Sequence, residues 1–192
     1  MAQKAIVPAF QSVIEANFKA FQENLKADVI TRTRTLPTGE IETYAVPVAR
    51  GNVQVLGYLD ASTINAMQQK VPDLDLIGTA MLHVDDNQRH IEGLHKLAGR
   101  RRGGAPQQVW PAEFINKLPS HLADYQAVLW DVDAQSILIV PSGRFNETIP
   151  TAAFKQRHTK LGDAWELRGL GSKSTRNLKD PKKYLPLVGR LD

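Results

Sequence analysis

QAVLWDVDAQSILIVP, residues 126–141, decides the fold class. Residues 126–131 (QAVLWD) and 136–141 (SILIVP) are short apolar runs, and VDAQ between them suits a turn. Runs this short, flanked by turn residues, predict strands, and the turn makes the pair antiparallel. Downstream, 149–157 and 163–168 (DAWELR) read as two further strands, which brings the sheet to about four. A short helix is expected over 174–179, followed by a basic tail, KDPKKY.

Upstream, 111–118 (PAEFINKL) reads as a short helix with Pro111 in its first turn, where the missing N–H is not needed. A helix over 86–97, capped by Asp85 or Asp86, would hold His90, His95 and Lys96. It runs into a basic loop, GRRRGGAP.

The first seventy residues read differently. Phe10, Val13, Ile14, Phe18, Phe21 and Leu25 recur at helical spacing over 7–27 and predict one packed stripe. VITRTRT (29–35) and IETYAVPV (41–48) alternate about LPTGE, which is a hairpin signal. VQVLGYL (53–59) adds a third strand to this meander, and Asp60 or Ser62 caps a helix over 62–70. KVPDLDLIG then reads as a junction. The expected architecture is α+β. An N-terminal helix and small antiparallel meander (residues 1–72, an accessory or docking region) precede a domain of helices on an approximately four-stranded antiparallel sheet (73–192).

Composition narrows the function. At 192 residues with 42 % hydrophobic side chains, the chain is long enough to bury a core. No run of some twenty apolar residues predicts a membrane helix, and the first residues lack the apolar core of a signal peptide. There is no cysteine, so disulfides and thiolate metal sites are excluded. No HExxH motif occurs, and neither a metal nor a cofactor is expected. GLGS (169–172) lacks the GK[ST] ending of a phosphate-binding loop, and no basic helix-turn-helix pattern is present.

Charge is uneven. Residues 1–96 carry nine Lys/Arg against eleven Asp/Glu, whereas 97–192 carry fifteen against nine. A basic half attracts polyanions, and RNA is the expected partner.

The order of segments resembles a known family. LHVDDNQRHIEGLHK is followed by the arginine–glycine loop, then by PAEFINKLPSHLADYQAVLWDVDAQSILIV and LRGLGSKSTRNLKDPKKY. Over about residues 76–187 this is similar to the phage-associated nuclease-like domains of the barnase–EndoU–colicin E5/D–RelE superfamily. Such domains are commonly fused to the C-terminus of Mu-like minor head proteins. The resemblance implies a barnase/RelE-like sheet and metal-independent RNA cleavage using His, Lys, Arg and Ser/Thr. It also implies a setting in the host cytoplasm or the phage virion. Expected partners besides RNA are phage capsid or head proteins and a second copy of the chain.

Cleavage of this kind needs a base for the ribose 2′-OH, cations for the phosphate and an acid for the leaving oxygen. His95, Lys96, His90 and Arg168 are the catalytic candidates. His90 and His95 are five residues apart and diverge by about 140° on a helix, so they do not share one target. Arg100, Arg101, Arg102, Lys173, Ser174, Thr175 and Arg176 are candidates for phosphate contact, and Trp165 for base stacking. Ser174 also suits the cap of the last helix. Where relatives often carry Asn and then Thr or Ser on the last strand, Trp165 and Gly169 stand here. That departure suits an alternative, a non-catalytic virion or head-morphogenesis accessory protein that keeps the nuclease-like fold.

Overall fold

The computed structural model describes residues 8–36, 38–74, 78–87, 110–144, 148–159 and 162–191. In chain order the elements are α1 (Pro8–Ala27), β1 (Val29–Thr35), β2 (Ile41–Pro47), β3 (Val53–Tyr58), α2 (Ala61–Lys70) and β4 (Ala80–Val84). They continue with α3 (Ala112–Asn116), α4 (Leu118–Ala123), β5 (Tyr125–Asp131), β6 (Ser136–Pro141), β7 (Ile149–Thr159), β8 (Gly162–Lys173), α5 (Thr175–Leu178) and β9 (Tyr184–Gly189). The class is α+β, as the patterning predicts.

The β5–β6 hairpin forms over the expected residues, with Asp131 opposite Ser136. Asp131 Oδ1 accepts the Ala134 N–H at 2.9 Å, and Gln135 takes a left-handed φ of 48°. β6 is buried at every position because it lies inside the sheet and is covered on both faces. Ile137 and Ile139 join the core beneath the helices, while Leu138 and Val140 join a second cluster on the opposite face. A strand covered on both faces has no polar side to show, which is why SILIVP does not alternate.

The main sheet has seven strands, in the order β3-β4-β8-β7-β6-β5-β9, and not four. β4 runs parallel to β8, and the other neighbours are antiparallel. Three strands were hidden from the sequence reading of this sheet. β4 lies just after the stretch read as a junction, and its five residues are too few for a clear period. β9 lies beyond the basic tail, where Asp180 Oδ1 takes the Lys182 N–H at 3.0 Å and turns the chain back onto β5.

The third of these strands, β3, does not complete a meander with β1 and β2. Those two form a separate two-stranded sheet, and β3 pairs with β4 instead. Asp85 gives the reason. Its carboxylate, fully buried, accepts the backbone N–H groups of Arg50, Gly51 and Asn52 at 2.9–3.0 Å. Gly51 sits at φ +76°, where a side chain would be strained, so the 50–52 turn can wrap the carboxylate. The chain entering β3 is thus fastened to the end of β4. Asp85 therefore satisfies this turn with its side chain. Asp60 does cap α2, accepting the Thr63 N–H at 2.7 Å.

Helices α1 to α4 cover one face, and Leu178 of α5 packs on the other. Phe18, Phe21 and Leu25 of α1, Met67 of α2 and Leu118 and Leu122 of α4 pack on Leu56, Ile137, Phe154, Trp165 and Leu167. The described residues on either side of the expected boundary at 72 therefore share one sheet and one core. Phe10 and Val13, expected in the packed stripe of α1, are exposed at 64 % and 55 %. The core meets α1 from Ile14 onward, and its first turns extend past it.

Candidate functional site

The site is built on β8. Trp165 and Leu167 point into the helix-side core, so Glu166 between them points to the opposite face. Between the pairs Ala153–Gly169 and Phe154–Leu167, β8 has one residue too many, and that residue is Arg168. The bulge lets Leu167 and Leu170, three apart, both face the core. It leaves Arg168 on the outer side with Glu166.

Glu166 is 3 % exposed, and a buried carboxylate is costly unless paired. It has two hydrogen-bond donors, Arg157 and Asn87, and a further ion-pair partner, Arg168. Arg157 Nη1, reaching from β7, lies 2.6 Å from Oε2. Asn87 Nδ2 lies 2.5 Å from Oε1, and Arg168 Nη1 lies 3.3 Å from the same oxygen. Lys155 stands opposite Glu166 in the register and is exposed. One buried anion is thus paired with two cations, Arg157 and Arg168. The Arg157 and Arg168 side chains remain 40 % and 48 % exposed, so their outer N–H groups face solvent. Guanidinium N–H groups in this position have the geometry to take bidentate hydrogen bonds from a phosphate-like anion.

Two described residues connect this site to the His–Lys–Arg stretch. Asn87 Nδ2 also donates to the Leu167 carbonyl at 2.7 Å, and Trp110 Nε1 donates to the Gly171 carbonyl at 2.7 Å. The chain leaves β8 at Asn87 and returns to it at Trp110. His90, His95, Lys96, Arg100, Arg101 and Arg102 fall between them and lie outside the described residues.

Of the other candidates, only Arg168 is in the cluster. Lys173, at the end of β8, holds its ammonium 5.4 Å from the centre of the Tyr184 ring. Ser174 accepts the Asn177 N–H at 3.2 Å and caps α5, in which Thr175 and the exposed Arg176 lie. Trp165 is not a base platform: it is 1 % exposed and gives its N–H to the Gly78 carbonyl at 3.0 Å. A strand between two covered neighbours leaves no ring face open.

Glu166, Arg157 and Asn87 were missed. A signal for Glu166 exists in WELR, where an acid sits between two large apolar residues in the most basic part of the chain. Arg157 is within reach because β7 runs antiparallel beside β8, a pairing the sequence does not state.

Elsewhere, burial alone would raise the Asp60 carboxyl. Hydrogen bonds from Tyr125, the Thr63 N–H and Ser62 outweigh it and hold the group below its ordinary value. Burial and the bond to Asp60 push the Tyr125 hydroxyl up to about 12. Burial and the nearby Lys117 charge lower His121, against a smaller opposing pull from Asp124, and its ring stacks on Phe114 with centroids 4.3 Å apart. Among the described residues no three His, Asp or Glu side chains gather as metal ligands do, and no helix is long and apolar enough to cross a membrane.

No family model, no curated protein and no solved structure matches the chain.

Proposed function

We propose that this chain is a ribonuclease-like protein of phage or prophage origin, which binds RNA on its basic face and cleaves it by metal-independent acid–base chemistry. The observation that carries the reading is the pair of half-exposed guanidiniums held by one buried carboxylate. In this reading Arg157 and Arg168 hold the scissile phosphate and take up its developing charge. Glu166 fixes both forks. His95 takes the proton of the 2′-hydroxyl as that oxygen attacks phosphorus, and a proton from water goes to the 5′-oxygen as its bond to phosphorus breaks. The attachment of Asn87 and Trp110 to β8 supports it, since both ends of the stretch bearing His90, His95 and Lys96 meet the strand that bears Arg168.

One observation favours a second reading, an accessory virion or head-morphogenesis protein that binds without cutting. Trp165, which stands where relatives of the resembled family often carry Asn, is 1 % exposed and brings no polar group to the site. The two readings separate in one experiment. Labelled total RNA is incubated in EDTA with wild type, His95→Ala and Arg168→Ala. Cleavage by wild type alone is expected. Binding that needs Arg168, with no cleavage by any protein, would leave the accessory reading standing and sink the nuclease.

A further inference from the structure

We propose that the chain forms a two-fold dimer through the outer edge of β1, which pairs antiparallel with β1 of a second copy. β1 and β2 make a sheet of their own, and among the described residues no strand pairs with the other edge of β1. A ribbon of two strands is marginal by itself in water, and joining two ribbons gives a sheet of four.

The edge is built to pair. Every residue of VITRTRT other than Arg32 and Arg34 is β-branched. β1 keeps register with β2 without a bulge, carries neither Pro nor Gly, and is exposed at every position but Arg34. The two edges of the main sheet are blunted instead: β3 has a bulge between Val55 and Gly57, and β9 carries Pro186.

The backbone decides which groups this edge offers. At the two ends of the ribbon, the Val48 N–H donates to the Asp28 carbonyl at 2.9 Å and the Leu36 N–H to the Glu40 carbonyl at 2.7 Å. Bonded and non-bonded pairs alternate along an antiparallel ladder, so Ile30, Arg32 and Arg34 turn their backbone groups toward β2. Val29, Thr31, Thr33 and Thr35 turn theirs outward.

Charge selects the register. When the outward residues of two copies meet, Ile30, Arg32 and Arg34 fall in the non-bonded pairs, where side chains come closest. A ladder centred on Arg32 sets Arg32 against Arg32, and one centred on Thr33 sets Arg32 against Arg34, and both are repulsive. A ladder centred on Thr31 has no such clash. Thr31 then faces Thr31 of the second copy, Val29 faces Thr33, Arg32 faces Ile30 and Arg34 faces Asp28. Sliding one step further shortens the ladder and drives the second strand across the end of α1 at Ala27.

This dimer does not rest on the RNA reading, because Glu166 and its arginines lie in the other sheet.

The test uses the full chain. Sedimentation over a dilution series should show a monomer–dimer equilibrium. Thr31→Pro removes an N–H that β2 does not use, so the thermal midpoint should stay while dimerisation weakens by about tenfold or more. The chain has no cysteine, so one introduced thiol reports one contact. Across the two-fold axis the Cα atoms of residue 31 would be about 5.5 Å apart, within disulfide reach, and those of residue 33 about 13 Å. Under mild oxidation Thr31→Cys should therefore give a covalent dimer and Thr33→Cys should not, a result that does not depend on how Thr31→Pro folds. A monomer at every concentration, wild-type dimer affinity in Thr31→Pro, or equal cross-linking at both positions would overturn the proposal.

Discussion

Arg157 Nη1 lies 2.6 Å from Glu166 Oε2, and the two residues belong to different strands, β7 and β8. They are not directly opposite in the register: Lys155 faces Glu166, and Arg157 faces Ala164. The bond is therefore a diagonal reach across the outer face, over a position where Ala164 leaves room. Arg168 reaches the other oxygen from the bulge. The arrangement bears on stability and, in the proposed function, on anion binding, and the two can be measured apart.

Glu166→Gln keeps the shape and removes the charge. Two guanidiniums then lose their counter-ion, though both are partly solvated and the loss is screened. A loss of about 1–2 kcal/mol is expected, read as a lowered midpoint in urea unfolding with the slope unchanged. An unchanged midpoint would mean that the pairs contribute nothing to folding.

Arg168→Ala and Arg157→Ala should each weaken RNA binding and reduce the slope of log affinity against log salt by about one. Each substitution also takes a partner from the buried Glu166 carboxylate, so folding should lose about 1–3 kcal/mol, and binding is compared at a temperature where every variant is folded. Filter binding over a salt series measures the slope. A slope unchanged by both substitutions would remove these residues from the interface.

Asp85 accepts three backbone N–H groups in full burial. Asp85→Ala leaves all three without a partner, and a loss of about 3 kcal/mol or more is expected. Asp85→Asn, which keeps one acceptor oxygen, should lose less. Hydrogen exchange should rise first at Gly51 and Asn52, and equal exchange there in both proteins would contradict the proposed fastening of β3 to β4.

The pH profile follows from three groups. Asp60 is held low, so its contribution is present above the unfolded carboxylate range and is lost as pH falls through its folded value. Tyr125 is raised to about 12, so its contribution is present below about pH 10 and is lost as pH rises toward 12. His121 is lowered, so its contribution is present above its ordinary value and fades as pH falls below it. Tyr125→Phe should abolish the alkaline loss, and His121→Gln should flatten the profile between about pH 7 and 5. Thermal unfolding from pH 4 to 11 tests both.

Much of the local structure was legible in the residues. The hairpin of β5 and β6, the Asp60 cap and the short last helix follow from turn chemistry and capping, which act over three or four residues. Arg168 was legible as a cation on a strand. Its partners were not, because Glu166, Arg157 and Asn87 come together through pairings of β7 with β8 and β4 with β8.

By itself the sequence determined the class, α+β, the position of the central hairpin and the basic character of the second half. Hydrophobic period and charge are properties of neighbouring residues, and they survive without knowledge of the fold. Tertiary structure alone decided that the sheet has seven strands, that β3 abandons β2 for β4 and that Trp165 is buried while Glu166 is paired with Arg157 and Arg168. Those outcomes depend on groups far apart in the chain. Asp85 has backbone partners 33–35 residues away, and Asn87 reaches Glu166 across 79. Only the closed core brings such groups within hydrogen-bond distance.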